Sequence, residues 1–154
     1  MMHRALDLAR HAAATGEVPV GAVVYRPDPA GGPARILGEG WNQREALRDP
    51  TAHAELLAVR EAAFTLGDWR LADCSLAVTL EPCPMCAGLV VNARLGRLLY
   101  GSPDPKAGAC GSLMRLTEDP RLNHRVVPIA GVLAAESSEL LQDFFRRLRA
   151  RPAN

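Results

Sequence analysis

Apolar positions along the chain change period several times, and each change marks an element. Met2, Leu6, Ala9 and Ala13 recur at the spacing of one helical face, and Gly16 stands where such a helix would stop. Val18 to Tyr25 (VPVGAVVY) is a short apolar run of the kind that forms a buried strand. The stretch PDPAGGPA at 27–34 has the composition of a loop, and Arg35 to Trp41 reads as the returning strand of a hairpin. A helical period resumes in AHAELLAVREAAF, with Thr51 before it as an acceptable N-cap. Ser75 to Leu80 (SLAVTL) is a second apolar strand. PCPMCAGLVVNA follows as a helix with Pro84 in the first turn, where the missing N–H costs nothing.

Leu95 to Tyr100 predicts another strand, and SPDPKAGACGS at 102–112 a loop rich in proline and glycine. Val126 to Leu133 predicts a further strand, and Glu136 to Arg149 a last amphipathic helix with Leu140, Leu141, Phe144, Phe145 and Leu148 on or near one face. Strands alternating with helices predict an α/β layered fold around a central sheet, and the opening hairpin makes that sheet mixed. Neither an internal repeat nor a long linker interrupts the pattern, so residues 1–154 are expected to form a single domain.

Composition narrows the class. Apolar residues make up 48% of the 154 and charged residues 23%, as in ordinary globular proteins. No apolar run reaches the ~18 residues of a membrane-spanning helix. Arg4, Asp7 and Arg10 interrupt what would be the apolar stretch of a signal peptide. Cys74, Cys83, Cys86 and Cys110 are too few and too irregular for a secreted disulfide framework, so the expected compartment is the cytoplasm. A net charge of +1 argues against a general nucleic-acid binder. Its distribution is uneven, because Arg146, Arg147, Arg149 and Arg151 face no acidic residue between Phe144 and Asn154. A solvated helix end is the plainer reading of that run, and a phosphate-binding patch the other.

The chemistry concentrates in two short stretches. PCPMC puts Cys83 and Cys86 three apart, close to one face of a helical turn, and TAHAE puts His53 and Glu55 at the opening of another helix. Backbone N–H groups and the positive end of the dipole gather at such helix starts and favour thiolate. Two thiolates and one imidazole suit Zn²⁺ and leave a fourth position open, with Glu55 as a candidate base beside it. Residues two apart in mid-helix point roughly 200° apart, so Glu55 can join His53 only if the helix start lets their side chains converge. A structural zinc closed by Cys74 or Cys110, and a redox or core dithiol, are the competing readings. Neither explains AHAE, and closed zinc sites usually come as two short ligand pairs.

His53-Ala54-Glu55 with Pro82-Cys83-Pro84-Met85-Cys86 matches the H-x-E…P-C-x-x-C signature of zinc-dependent nucleobase deaminases of the cytidine deaminase superfamily. With EVPVGAVV, GEGWN, DPTAHAE, TLEPCPMCAG, KAGACGSL, NHRV and DFFRR in order along nearly the whole chain, the sequence resembles the bacterial tRNA-specific adenosine deaminases of the TadA type. The resemblance implies a three-layer α/β/α, cytidine-deaminase-like fold with a central mixed sheet of five strands. It implies one Zn²⁺ per subunit on His53, Cys83 and Cys86, with Glu55 as proton carrier, and hydrolysis of the wobble adenosine of tRNA to inosine and ammonia. Asn42 and the backbone around Ala54 match positions that hold the flipped base. Asp104, Lys106, Asn123, Phe145 and Arg149 match positions that meet the anticodon loop. A homodimer is implied too, both subunits shaping the RNA site. A free guanine or cytosine deaminase is the nearest alternative, and a non-catalytic zinc-stabilised RNA-binding module a further one. The loop at 27–34 is longer than the family's first hairpin, and Cys110 replaces a small residue as a candidate free thiol near the RNA loop. His124 is read as structural, and His3 and His11 have no motif to support a site role.

Overall fold

The computed structural model describes residues 1–150; Arg151, the last of the basic run, lies outside the described residues. The elements follow in the order α1 (Met2–Ala14), β1 (Gly21–Arg26), β2 (Arg35–Trp41), α2 (Arg44–Leu47), α3 (Ala54–Leu66), β3 (Ser75–Leu80), α4 (Pro84–Asn92), β4 (Arg97–Ser102) and α5 (Ala134–Ala150). A single 3-10 turn, Leu116–Glu118, lies between β4 and α5. The sheet order is β2-β1-β3-β4, with β1 antiparallel to both neighbours and β3 parallel to β4, so the sheet is mixed as expected.

The sheet is apolar on both faces because helices cover both. Along β1 and β3, Ala22, Val24, Leu76 and Val78 pack with the α3 and α4 residues Ala58, Ala62, Ala87 and Val90. The alternate positions Val23 and Ala77 pack with Met2, Ala5 and Leu8 of α1. A period of two thus feeds two cores, and the layers are α/β/α. Helix α5 shares the α1 side, touching β4, β3 and α1. Only Ser137 of its residues is buried, and Phe145 and Leu148 stay 38% and 48% exposed.

Glycines set how closely helices lie on the hairpin. A Cβ at Gly38 or Gly40 would collide with the carbonyl oxygens of Ala58 and Ala54, so β2 and α3 pack backbone against backbone. That contact fixes the start of α3, and with it His53, next to the end of β2.

Three expectations need correction. The sheet has four strands rather than five. The segment 126–133 runs beside β4 and makes Ile129 N–H to Leu98 O (2.9 Å), Tyr100 N–H to Ile129 O (3.0 Å) and Val132 N–H to Tyr100 O (3.0 Å), yet forms only one bridge, Leu99 to Ile129. Pro128 has no N–H to give, and positive φ at Gly131 (81°) and Leu133 (52°) turns the chain away. The strand expected from Val18 begins only at Gly21, because Pro19 cannot donate to a ladder and Val20 N–H turns back to Val18 O. Thr51 does not cap α3: its N–H and hydroxyl both bond Asp49 Oδ1, and the N-cap is His53.

Candidate active site

The displaced cap resolves the angular objection to pairing His53 with Glu55. His53 precedes α3 with extended dihedrals (φ −77°, ψ 150°), so the mid-helix angle between residues two apart does not apply to it. Glu55 sits in the first turn, 4% exposed. Helix α4 repeats the arrangement, with Cys83 as an extended N-cap, Pro84 opening the helix and Cys86 buried in its first turn. The two helix starts face each other. His53 Nδ1 lies 3.7 Å from Cys83 Sγ and 3.6 Å from Cys86 Sγ, and the three atoms fall within 4.8 Å of one another. A tetrahedral Zn²⁺ with ordinary bond lengths would set N and S roughly 3.5 Å apart, so these three side chains fit that ion. Among the described residues this is the one cluster of at least three histidine, cysteine or acidic side chains that could hold a metal.

Crowding at the cluster opposes itself without a cation. The neighbouring Cys86 thiol and the His53 ring hold Cys83 down at about 3. Cys86 is pushed up, first by its bond to Cys83 and then by burial. His53 is raised by its bond to Cys83. Burial raises Glu55 above the ordinary carboxylate range, while His53 pulls it back. A dication among these groups would reverse the pressure on Cys86 and reinforce that on Cys83, so that both sulfurs could ligate as thiolates.

Asn42, Ala54, Glu55, His53, Cys83 and Asp104 line one cavity of about 200 Å³. That is smaller than the ~300–1,000 Å³ that encloses a drug-sized ligand, and suits a flat base better than a whole nucleotide. The cavity shares Val18, Leu80 and Asp104 with a neighbouring groove of about 710 Å³, whose lining includes Lys106, Phe145, Arg146 and Arg149. Phe145 faces this groove, while Phe144 is half-buried in a cleft against Ala13 and Gly16, so the adjacent pair divides between surface and packing. Asn123 joins neither lining. It is exposed and accepts a 2.6 Å hydrogen bond from Arg94 Nη1. His124 Nε2 lies 2.8 Å from Leu95 O, a structural contact. Cys110 is a free thiol in the loop, as expected, but it is buried, and that burial pushes it up to about 12.

Sequence reasoning missed two buried carboxylates. Glu17, 2% exposed, accepts from Asn42 Nδ2 (3.0 Å) and from the Ala46 N–H (2.8 Å). A carboxylate only accepts, so it fixes which end of the Asn42 amide turns toward it and leaves Oδ1 and one amide hydrogen for the cavity. Glu81, also 2% exposed, is opposed by burial, yet the Ser112 hydroxyl and the N–H groups of Ser112, Asp104 and Cys110 hold it below the usual carboxylate range. An acidic residue directly after a helix stop (Gly16-Glu17) and another directly after an apolar strand (Leu80-Glu81) were the available signals. Arg44, an exposed cation on the cavity rim, was not expected either.

The MafB19-like deaminase family matches residues 1–149. A tRNA-specific adenosine deaminase of Haemophilus influenzae is 46% identical over 149 residues, 97% of this chain and 83% of its own. A solved structure from a study of A-to-I editing by tRNA:A34 deaminases at the wobble position superposes with a TM-score of 0.83 at 41% identity, covering 91% of this chain and 97% of that one. Guanine deaminase from Bacillus subtilis superposes with a TM-score of 0.62 at 31% identity, covering 99% of this chain and 95% of its own.

Proposed function

The chain belongs to the MafB19-like deaminase family, and on that premise we propose that it hydrolyses the wobble adenosine of tRNA to inosine, releasing ammonia. The observation that carries this reading is the continuity of a base-sized cavity with a larger groove bearing Lys106, Arg146, Arg149 and the exposed ring of Phe145. A free base needs no such groove; an unpaired base with its flanking nucleotides does, since rings stack bases and arginines bind phosphate. Family membership and the relatives' activities support the same substrate.

His53, Cys83 and Cys86 would hold one zinc per chain, which supplies a positive charge that makes water more acidic. Glu55 takes a proton from the water attacking C6 of adenine and delivers it to N1. The same carboxylate then carries the second proton to the departing amino group, so water and adenosine become inosine and ammonia with nothing left over. Burial suits this shuttle by raising the proton affinity of the carboxylate, which makes it a better acceptor for the water's proton. Asn42 and the first-turn amide of Ala54, which has no partner within its helix, orient the base. Asp104, Lys106, Phe145 and Arg149 meet the flanking nucleotides. Residues 1–154 act as one deaminase domain, assembled as a homodimer in the cytoplasm. Among the described residues no helix is long and apolar enough to cross a membrane.

Glu17→Ala frees the Asn42 amide to rotate, removing a charge-assisted hydrogen bond of about 1.5–3 kcal/mol from the pre-set site. A fall of about tenfold or more in kcat/KM is expected at unchanged zinc content, measured by steady-state inosine formation beside metal analysis. The proposal as a whole is tested on an anticodon stem-loop RNA with a wobble adenosine, run beside free adenine, guanine and cytosine. Inosine at the wobble position with the free bases untouched is expected. An inert stem-loop with turnover of a free base would keep the metal site and Glu55 but overturn every RNA contact named here.

A further inference from the structure

Glu81 takes no part in the chemistry above, yet it is among the most completely satisfied side chains of the protein. Its Oε1 accepts the N–H groups of Cys110 (3.0 Å) and Ser112 (2.9 Å). Its Oε2 accepts the N–H of Asp104 (2.9 Å) and the hydroxyl of Ser112. The backbone on either side adds two more ties to the same loop, Glu81 N–H to Ser102 O (2.8 Å) and Ala109 N–H to Pro82 O (2.9 Å). The loop is moulded around the carboxylate, since a Cβ at Gly108 would strike Glu81 Cδ. With two donors on each oxygen, Glu81 has no room to act as an acid or base.

We propose that Glu81 is a positioning residue for RNA: it clamps the Asp104–Ser112 loop to the turn that carries Cys83, so that the nucleotides beside the target base are read in register with the cavity. The inference rests on the tRNA reading of the site.

The distal half of the loop is anchored by Ala109 and Cys110, which pack into the core, while Gly108 N–H to Asp104 O (2.8 Å) is internal to its proximal half. Pro103 and Pro105 have no N–H, and Asp104 spends Oδ1 on the N–H groups of Lys106 (2.9 Å) and Ala107 (3.2 Å), an internal turn that travels with the loop. The side chain that ties that turn to the metal-ligand segment is Glu81, two residues before Cys83, beside the backbone bond from Ala109 to Pro82. Asp104 lines both the cavity and the groove, so a loop released from Glu81 moves a residue common to both. His53, Cys83 and Cys86 are placed by the starts of α3 and α4.

Glu81→Gln tests this, because the amide presents its own N–H groups to a set of donors and the loop must shift. KM for the stem-loop RNA is expected to rise roughly tenfold while kcat stays within about threefold of wild type, at full zinc content. Ser112→Ala, which removes only the hydroxyl and keeps the fold even if the first variant loses it, is expected to raise KM by about threefold. Unchanged KM in both variants, or a fall in kcat at constant KM, overturns the assignment. Wild-type protein on the same RNA separates the two levels: no inosine from wild type defeats the tRNA reading and the clamp's RNA role with it, whereas normal wild-type turnover with normal KM in the variants defeats the clamp alone.

Discussion

Replacing Glu55 with alanine is expected to lower kcat on a wobble-adenosine stem-loop by about 10²–10⁴-fold, the usual contribution of a positioned proton carrier. Zinc content and fold should survive. Glu55 contributes no atom to the three-residue cluster, and it sits in the first turn of α3, where alanine is a good helix former. Two features argue for the large end of the range. The carboxylate is 4% exposed, so bulk water cannot easily substitute for it, and the other acidic side chains of the cavity are engaged wholly or in part. Glu81 is fully engaged, and Asp104 is partly committed to its own loop. Retained zinc with lost turnover supports catalysis; unchanged turnover would leave a binding module.

The second large effect concerns the cysteines one at a time. Cys83→Ala or Cys86→Ala should reduce bound zinc from about one per chain to near none, abolish turnover, and lower Tm by several degrees, because an ion on this cluster would tie the starts of α3 and α4 together. Cys74→Ala and Cys110→Ala should keep the full complement of zinc. Neither belongs to the cluster, and Cys110 is a buried, protonated thiol whose N–H, not its sulfur, serves the site. Metal analysis of the four variants distinguishes this ligand set from a closed structural site, which would need one of the other two cysteines. Zinc in the Cys86 variant, or its loss from the Cys110 variant, would contradict the assignment.

How much of this was legible beforehand depended on how local each signal is. The two stretches HAE and PCPMC announce their chemistry because helix starts gather ligands over three or four residues. Period-two strands and period-3.6 helices were readable for the same reason. The N-cap of α3 was displaced by two residues because Asp49 takes both donors of Thr51, a competition that propensity does not rank. The fifth strand failed on Pro128 and Gly131, whose effect was outweighed in the reading by the apolar run around them. Glu17 and Glu81 were missed for a different reason. Their partners are 23 to 31 residues away in sequence, and only the fold brings Asn42, Asp104, Cys110 and Ser112 to them. Asn123 illustrates the reverse: a contact by motif that the fold places outside both linings, its Oδ1 accepting from Arg94.

On the proposed reading, the site adds water to the wobble base of an RNA. Incubating the zinc-loaded protein with the anticodon stem-loop in water enriched in the heavy oxygen isotope, then measuring the mass of the recovered wobble nucleoside, tests that directly. The expected result is inosine carrying heavy oxygen at C6, with the other nucleosides unchanged. Unaltered adenosine at that position, from protein that converts free guanine under the same conditions, would contradict it.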